Sequence, residues 1–402
     1  MITPEELCER LAALAVEVGA NVQPGQVVAV SADLGQEAMA RAVAACAYRR
    51  GARFVDVTYF DPYVKRVRLL HAPEETLDFV PSWYGERVLE LGRQRAATIA
   101  LTGPAPSDAL KGVDPGRAGR DQLPEVRESM IVINERSINW TVVPCPTPTW
   151  AQLAYPELAA ADAMQRLCHD LWTICRLDQP DPGAAWLERM SELAAVAERL
   201  TVSGLDAVHF EGEGTDLTVG LLPTSAWHSA GPAHTLEGIS HLANLPSEEV
   251  FTTPDPERTD GVVRSTRPLM LSDGTLIEGL AMRFDAGRAI EISADKGAEV
   301  LRGRAALDEG ASRLGEVALV DGKSPIGRAD RIFYDTLIDE NAVSHVALGS
   351  GYESPVGEPD RPRVNRSAIH IDFMIGGDEV AVTGIMRDGS RVPVLRGGTW
   401  QV

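Results

Sequence analysis

No apolar run in this 402-residue chain approaches the ~20 residues needed to cross a bilayer, so no transmembrane helix is expected. Cysteine is scarce: Cys8, Cys46, Cys145, Cys168 and Cys175 are all there is. An odd number with no C-x-x-C spacing excludes a disulfide framework and a zinc knuckle, and the thiols read as buried packing. Positive charge is also short, with 38 Lys and Arg against 58 Asp and Glu and a net charge of −20. A phosphate backbone calls for a basic face, so nucleic acid is excluded as a partner. The acidic surface tolerates cationic or neutral substrates. The opening MITPEELCERLAAL carries neither a basic segment nor a signal-type apolar core, and a cytoplasmic protein is expected. Nucleotide loops are missing as well. The turn after the first predicted strand reads Ser31-Ala32-Asp33-Leu34-Gly35, which is neither G-x-G-x-x-G nor a P-loop, so the fold class alone names no cofactor.

The chain does carry a clear alternation of elements. Thr3 and Glu6 form a capping box, Pro4 occupies the first helical position, and Leu7, Leu11, Leu14 and Val18 recur at helical spacing over residues 3–19. Val27–Val30, Phe54–Tyr59, Ala96–Leu101 and Met130–Asn134 are short apolar runs with strand character, and residues 35–50 read as a helix ending at Gly51. Strands alternating with helices predict a parallel α/β sheet over roughly residues 20–145. Residues 157–200 read as amphipathic helix broken at Asp178–Gly183. Beyond them short strands dominate. Ala207–Phe210 and Leu217–Leu222 flank the hairpin signal Glu211-Gly212-Glu213-Gly214-Thr215-Asp216, and Asp273-Gly274 and Asp388-Gly389 are further turn signals. At about 150 residues per domain the length fits two or three domains. The predicted division is an N-terminal parallel α/β domain, 1–200, and a C-terminal, mainly antiparallel α+β domain, 201–402, holding the chemistry.

The most informative segment is Ala368–Ile375. Its strict alternation predicts a strand with Ile369, Ile371, Phe373 and Ile375 buried on one face and His370 and Asp372 together on the other. An imidazole and a carboxylate about 7 Å apart on a strand make half of a metal site, or else a satisfied pair on a sheet face. A second segment, Asp339–Tyr352, gathers Glu340, His345 and Tyr352 in a Gly-rich, loop-like stretch. Glu249 and Glu316 also stand in apolar company, and Glu316 opens the run Val317–Val320, where a carboxylate is expensive unless paired or metal-bound. Carboxylates with a few histidines and no thiolate suit zinc, cobalt, manganese or iron. His71, His169, His209, His228, His234 and His241 lack paired ligands at useful spacing, although His228 and His234 are placed to line a cavity, as are Trp140 and Trp150.

These residues resemble the M29 metallo-aminopeptidases, the aminopeptidase T and aminopeptidase S group. The likeness is carried by Phe210–Thr218, Asn244–Pro254, Leu314–Val320, Glu340–Tyr352 and Asn365–Gly376, with a further similar stretch from Trp140 to Ala151. Order and spacing agree over nearly the whole chain. The resemblance implies an aminopeptidase with two divalent metal ions, Zn, Co, Mn or Mg, held in the C-terminal domain by Glu249, Glu316, Glu340, His345, His370 and Asp372. It places Tyr352 beside the metals, with a carboxylate, Glu316, bridging them. A carboxylate that is not a ligand would act as general base, and Glu248 and Glu340 both qualify. A peptide with a free N-terminus is the implied substrate and a homodimer enclosing a cavity the implied assembly. The shorter stretch between Tyr352 and His370, and the segment Pro359–Arg363, depart from the family pattern where a substrate pocket would be shaped. Two other readings remain. His345, His370 and Asp372 also form the 2-His-1-carboxylate set of non-haem Fe(II) oxygenases, and ring-cleaving dioxygenases of pyridines are similar to this peptidase family; three further acids would then be idle. A specialised amide hydrolase is the other.

Overall fold

The computed structural model describes residues 2–106, 108–121, 123, 127–229 and 231–402. The predicted capping box is present: Thr3 Oγ1 accepts from Glu6 N, and the Glu6 carboxylate accepts from Thr3 N. It starts a helix at Pro4 that continues as a wider turn over Ala15–Gly19. Four parallel strands follow, Val27–Asp33, Phe54–Phe60, Ala97–Thr102 and Asn139–Pro144. In space the second lies outside the first, and the third and fourth lie on its other side. Met130–Asn134 is not one of them. It is a helix, Glu128–Asn134, whose Val132 packs onto Gly92 of the helix Ser82–Arg93; a Cβ on Gly92 would meet Val132 Cγ1 at 2.8 Å. An apolar run of four, Met130–Ile133, has the same composition as a buried strand or one covered helix face, and tertiary packing decides.

The helices Ala160–Ile174 and Pro182–Ser203 lie on either side of the predicted break. The second ends at Gly204 in the left-handed conformation, φ +65°, and from there the sheets are antiparallel. The hairpin Leu205–Gly212 and Thr215–Leu221 lies at the centre of an eight-stranded sheet. A second sheet of five strands runs in the order His370–Met374, His345–Gly349, Leu314–Val320, Glu249–Thr252, His228–Ser229. His345–Gly349 is therefore a fully buried interior strand, not a loop.

The core falls into two clusters that cross the middle of the chain. Ile326, Phe333, Ile338 and Ala342 pack with the N-terminal helices and parallel sheet. Leu69, Leu77 and Ala118 pack with the antiparallel sheets. Residues 240–245 extend the parallel sheet: Val142 N donates to Ala243 O and Leu245 N to Val142 O. Chain leaving that edge enters the five-stranded sheet at Glu249, which sets the two sheets side by side.

Candidate metal centre

Sheet register brings the ligands together. Phe251 opposes Ala318, and Ala318 opposes His345. Ala347 opposes Glu316 on one side and Asp372 on the other, and Gly349 opposes His370. Counting by twos from these pairs, Glu249, Glu316, His345, His370 and Asp372 share one face. Ala318 and Ala347 occupy the centre of that face and leave room for the longer polar side chains. The other face carries Val250, Val317, Leu319, Val346, Leu348, Ile371 and Phe373 and is packed in the second core cluster. A bulge separates the pairings of Leu314 and Glu316. Gly315 makes it possible, because a Cβ there would sit 2.4 Å from the Gly349 carbonyl oxygen. Glu340 reaches the cluster from the end of the helix Thr336–Glu340, capped by Asp335.

Ligand atoms of Glu249, Glu316 and His345 lie within 4.8 Å of one another, as do those of Glu316, His370 and Asp372, and those of Glu340, His345 and Asp372. All six residues named from the sequence are thus gathered, with Glu316, His345 and Asp372 each in two groups. The ring Nε2 of His345 is 3.1 Å from Glu249 Oε2, and that of His370 is 3.2 Å from Glu316 Oε2 and 3.5 Å from Asp372 Oδ2. Each Nδ1 faces a backbone carbonyl, Glu340 O at 2.9 Å for His345 and Ser350 O at 2.7 Å for His370. A carbonyl only accepts, so Nδ1 carries the proton and Nε2 turns its lone pair toward the carboxylates in the neutral ring. Lone pairs facing carboxylates call for a cation between them.

Electrostatics point the same way. Burial, with Glu249 and Asp372 nearby, pushes the Glu316 carboxyl up to about 7 against the pull of His370. Burial and Asp372 raise Glu340 well above the usual carboxylate range. Burial alone would depress His345, but Glu249, Glu340 and Asp372 together lift it to about 10. Among the described residues Glu249 Oε2 and Asp372 Oδ1 are buried without a hydrogen bond. Buried carboxylates crowding two imidazoles hold the rings protonated, and a divalent ion taking the place of the Nε2 protons would balance the same charge, so the cluster fits a divalent metal centre.

Glu248 does not join the cluster. It is fully buried behind the sheet, its oxygens 2.6 Å from Arg176 Nη2 and 2.6 Å from Arg189 Nε, while its N–H donates to Asn341 Oδ1. Strand alternation turns it away from Glu249. The cluster closes one end of a cavity of about 900 Å³. Tyr352 lines it, its ring 5.4 Å from that of His370, and burial raises its phenol pKa. His228, His234 and Trp140 line it as expected, and Arg361 enters from the Pro359–Arg363 segment. Trp150 does not: it is 0% exposed, and its indole N–H donates to the Phe333 carbonyl. Sequence reasoning missed Glu198, Glu353, Asn244 and His241 on the cavity wall. Asn244 opens one of the quoted stretches and Glu353 directly follows another, whereas Glu198 lies on a helix face with no local signal.

The model of the thermophilic metalloprotease family M29 matches residues 4–400. Aminopeptidase T of Thermus aquaticus is 43% identical, covering 99% of both chains. Aminopeptidase 2 of Geobacillus stearothermophilus is 37% identical over 98% of both. Among solved structures, wild-type AmpT from Thermus thermophilus superimposes with a TM-score of 0.85 at 41% identity over the full length of both chains. A 2,5-dihydroxypyridine dioxygenase from Pseudomonas putida KT2440 shares the fold, with a TM-score of 0.51 at 12% identity, covering 100% of this chain and 98% of that one. The metal-binding face and the full-length match agree, and the chain belongs to the M29 family of metalloproteases.

Proposed function

We propose that this protein is a metal-dependent aminopeptidase that removes N-terminal residues from peptides at a two-metal centre. The observation that carries this is a cluster of six candidate ligands, five on one sheet face and Glu340 at a helix end, closing the end of a cavity. Glu249, Glu316 and His345 would hold one ion and Glu316, His370 and Asp372 the other, with Glu340 completing the set and Glu316 shared. Two divalent ions bound there, Zn, Co, Mn or Mg, supply a water of lowered pKa and an electrophile for the scissile carbonyl. Glu198, Glu353, Arg136 and Arg361 put charge of both signs on the cavity wall, so the free amine of a peptide would be drawn by the carboxylate-rich cluster itself. Tyr352 holds a proton at its phenol oxygen, available to the oxyanion or the departing amine. Of the two carboxylates considered as general base, Glu340 borders the cavity and would take that role in place of a ligand's, whereas Glu248 is held behind the sheet by two arginines. A ring-cleaving Fe(II) dioxygenase would use His345, His370 and Asp372 and leave Glu249, Glu316 and Glu340 buried without a task.

The same reading keeps a division into residues 1–200 and 201–402, at the end of the helix Pro182–Ser203, a cytoplasmic location and a homodimer. Phe54, Val64, Val67, Phe79 and Trp83 are exposed apolar side chains available to a partner. The test is hydrolysis of aminoacyl anilides and short peptides before and after chelation, with Zn, Co, Mn and Mg added back. Chelator-sensitive release of free N-terminal amino acids is expected. Oxygen uptake with hydroxypyridines and no peptide turnover would overturn the proposal.

A further inference from the structure

The parallel sheet leaves part of one face open. Parallel sheets are ordinarily covered on both faces, yet Ser31, in the strand Val27–Asp33 with partners on both sides, is exposed. A cavity of about 590 Å³ lies over this face, with Ser31 and Thr98 in its floor and Trp83 and Tyr84 in its wall. It sits toward the carboxyl ends of the strands, where the chain order reverses between Val27–Asp33 and Ala97–Thr102. That is where open α/β sheets take their ligands. Ile133, Ile138 and Trp140 line both this cavity and the metal cavity.

His241 marks the junction. It lines the metal cavity with its ring 6.4 Å from that of Trp140. It is only 4% exposed, and beyond the Ile239 backbone no group among the described residues meets its ring nitrogens. Burial pushes its pKa down to about 4, so the ring is neutral. A neutral imidazole offers one donor and one acceptor, the complement of a peptide group. With one nitrogen turned to the Ile239 backbone, leaving the other unused in a buried place is costly unless a ligand takes it.

We propose that a peptide substrate spans both cavities, its N-terminal residue at the metal cluster and its following residues passing His241 and Trp140 onto the open face of the parallel sheet. This rests on the aminopeptidase reading and narrows its substrates to oligopeptides. His241 pairs with main-chain groups, so the route accepts different side chains. Length is what it senses.

The experiment compares kcat/KM of the metal-loaded enzyme on an anilide, a dipeptide and a pentapeptide with the same N-terminal residue. The pentapeptide is expected to exceed the dipeptide at least tenfold. Ser31→Trp fills the second cavity from an exposed position, and His241→Leu removes the polar junction without adding bulk. Each is expected to bring the pentapeptide-to-dipeptide ratio toward one. Hydrolysis of anilide and dipeptide with no dependence on length overturns the route and leaves the aminopeptidase standing. A ratio unmoved by both variants also overturns it, as does Ser31→Trp changing the oligomeric state in place of the ratio, since the face would then meet a second copy. No hydrolysis of any substrate overturns both.

Discussion

At the scale of single residues, the shared position of Glu316 makes it the most consequential side chain in the molecule. Replacing it with Gln keeps its volume and removes the charge common to two ligand groups. Glu316→Gln is expected to lose metal stoichiometry and turnover together, measured by elemental analysis and peptide hydrolysis on the same sample. A fully loaded, active variant would contradict its role. Tyr352 predicts a different signature. Tyr352→Phe removes only the phenol oxygen, so metal content should stay at the wild-type value while kcat falls about 10²-fold, the scale of losing one donor to an oxyanion. A fall in metal content instead would make the tyrosine a support of the ligands. His370 and Asp372 were legible from alternation alone, because a two-residue period fixes which side chains share a face. His241 was not, because its importance lies in what surrounds it, and no local pattern announces a half-partnered ring.

At the scale of elements, Glu248 and Glu249 are neighbours in sequence with opposite tasks. Glu249 faces the candidate ligand cluster, and Glu248 anchors the start of the strand Glu249–Thr252 to the helix Pro182–Ser203 through Arg189. Removing one member of a buried ion pair costs about 3–5 kcal/mol. Glu248→Gln is therefore expected to lower the denaturant midpoint strongly while the loaded enzyme keeps its kcat within a few-fold. A thousandfold loss of kcat with unchanged stability would return Glu248 to the role of general base. The helix Thr336–Glu340 carries a pH-dependent cost. Burial, then Asp339, pushes its cap Asp335 up to about 7, above the ~3.9 of an unfolded aspartate. The folded protein then holds a proton that the unfolded chain releases, so stability is full below about pH 4 and falls as pH rises toward 7. Asn can still cap the helix and does not titrate. The stability difference between Asp335→Asn and the wild type is expected to grow in the variant's favour from pH 4 to 7 and level off above; parallel curves would contradict this. The strand His345–Gly349 reads as a loop in sequence because Ala347 and the glycines Gly349 and Gly351, which leave room for the cluster and let strands approach closely, are also the composition of a loop. The helix Glu128–Asn134 reads as a strand in sequence because a run as short as its four apolar residues, Met130–Ile133, fits either.

At the scale of the whole molecule, the parallel sheet and the five-stranded sheet meet along residues 240–249, and that seam sets the metal-ligand cluster beside two neighbouring cavities that share Ile133, Ile138 and Trp140. The crossing of the core clusters, with Ile338 packed among N-terminal helices and Leu69 among C-terminal strands, could not be read from the sequence. Local periodicity says which face is buried but not against what. The class of sheet in each half could be read, since connection length separates parallel from antiparallel strands. A cluster of buried acids also ties stability to metal. Ligands that bind only the folded state stabilise by about 4 kcal/mol at a thousandfold excess over Kd, so chelation is expected to lower Tm and metal to restore it. The most direct test of a two-metal centre is to titrate Zn or Co back into chelated protein while counting bound ions and the N-terminal amino acid released. Turnover should rise until two ions are bound per chain and then level off. Full turnover at one ion per chain, or turnover without metal, would contradict it.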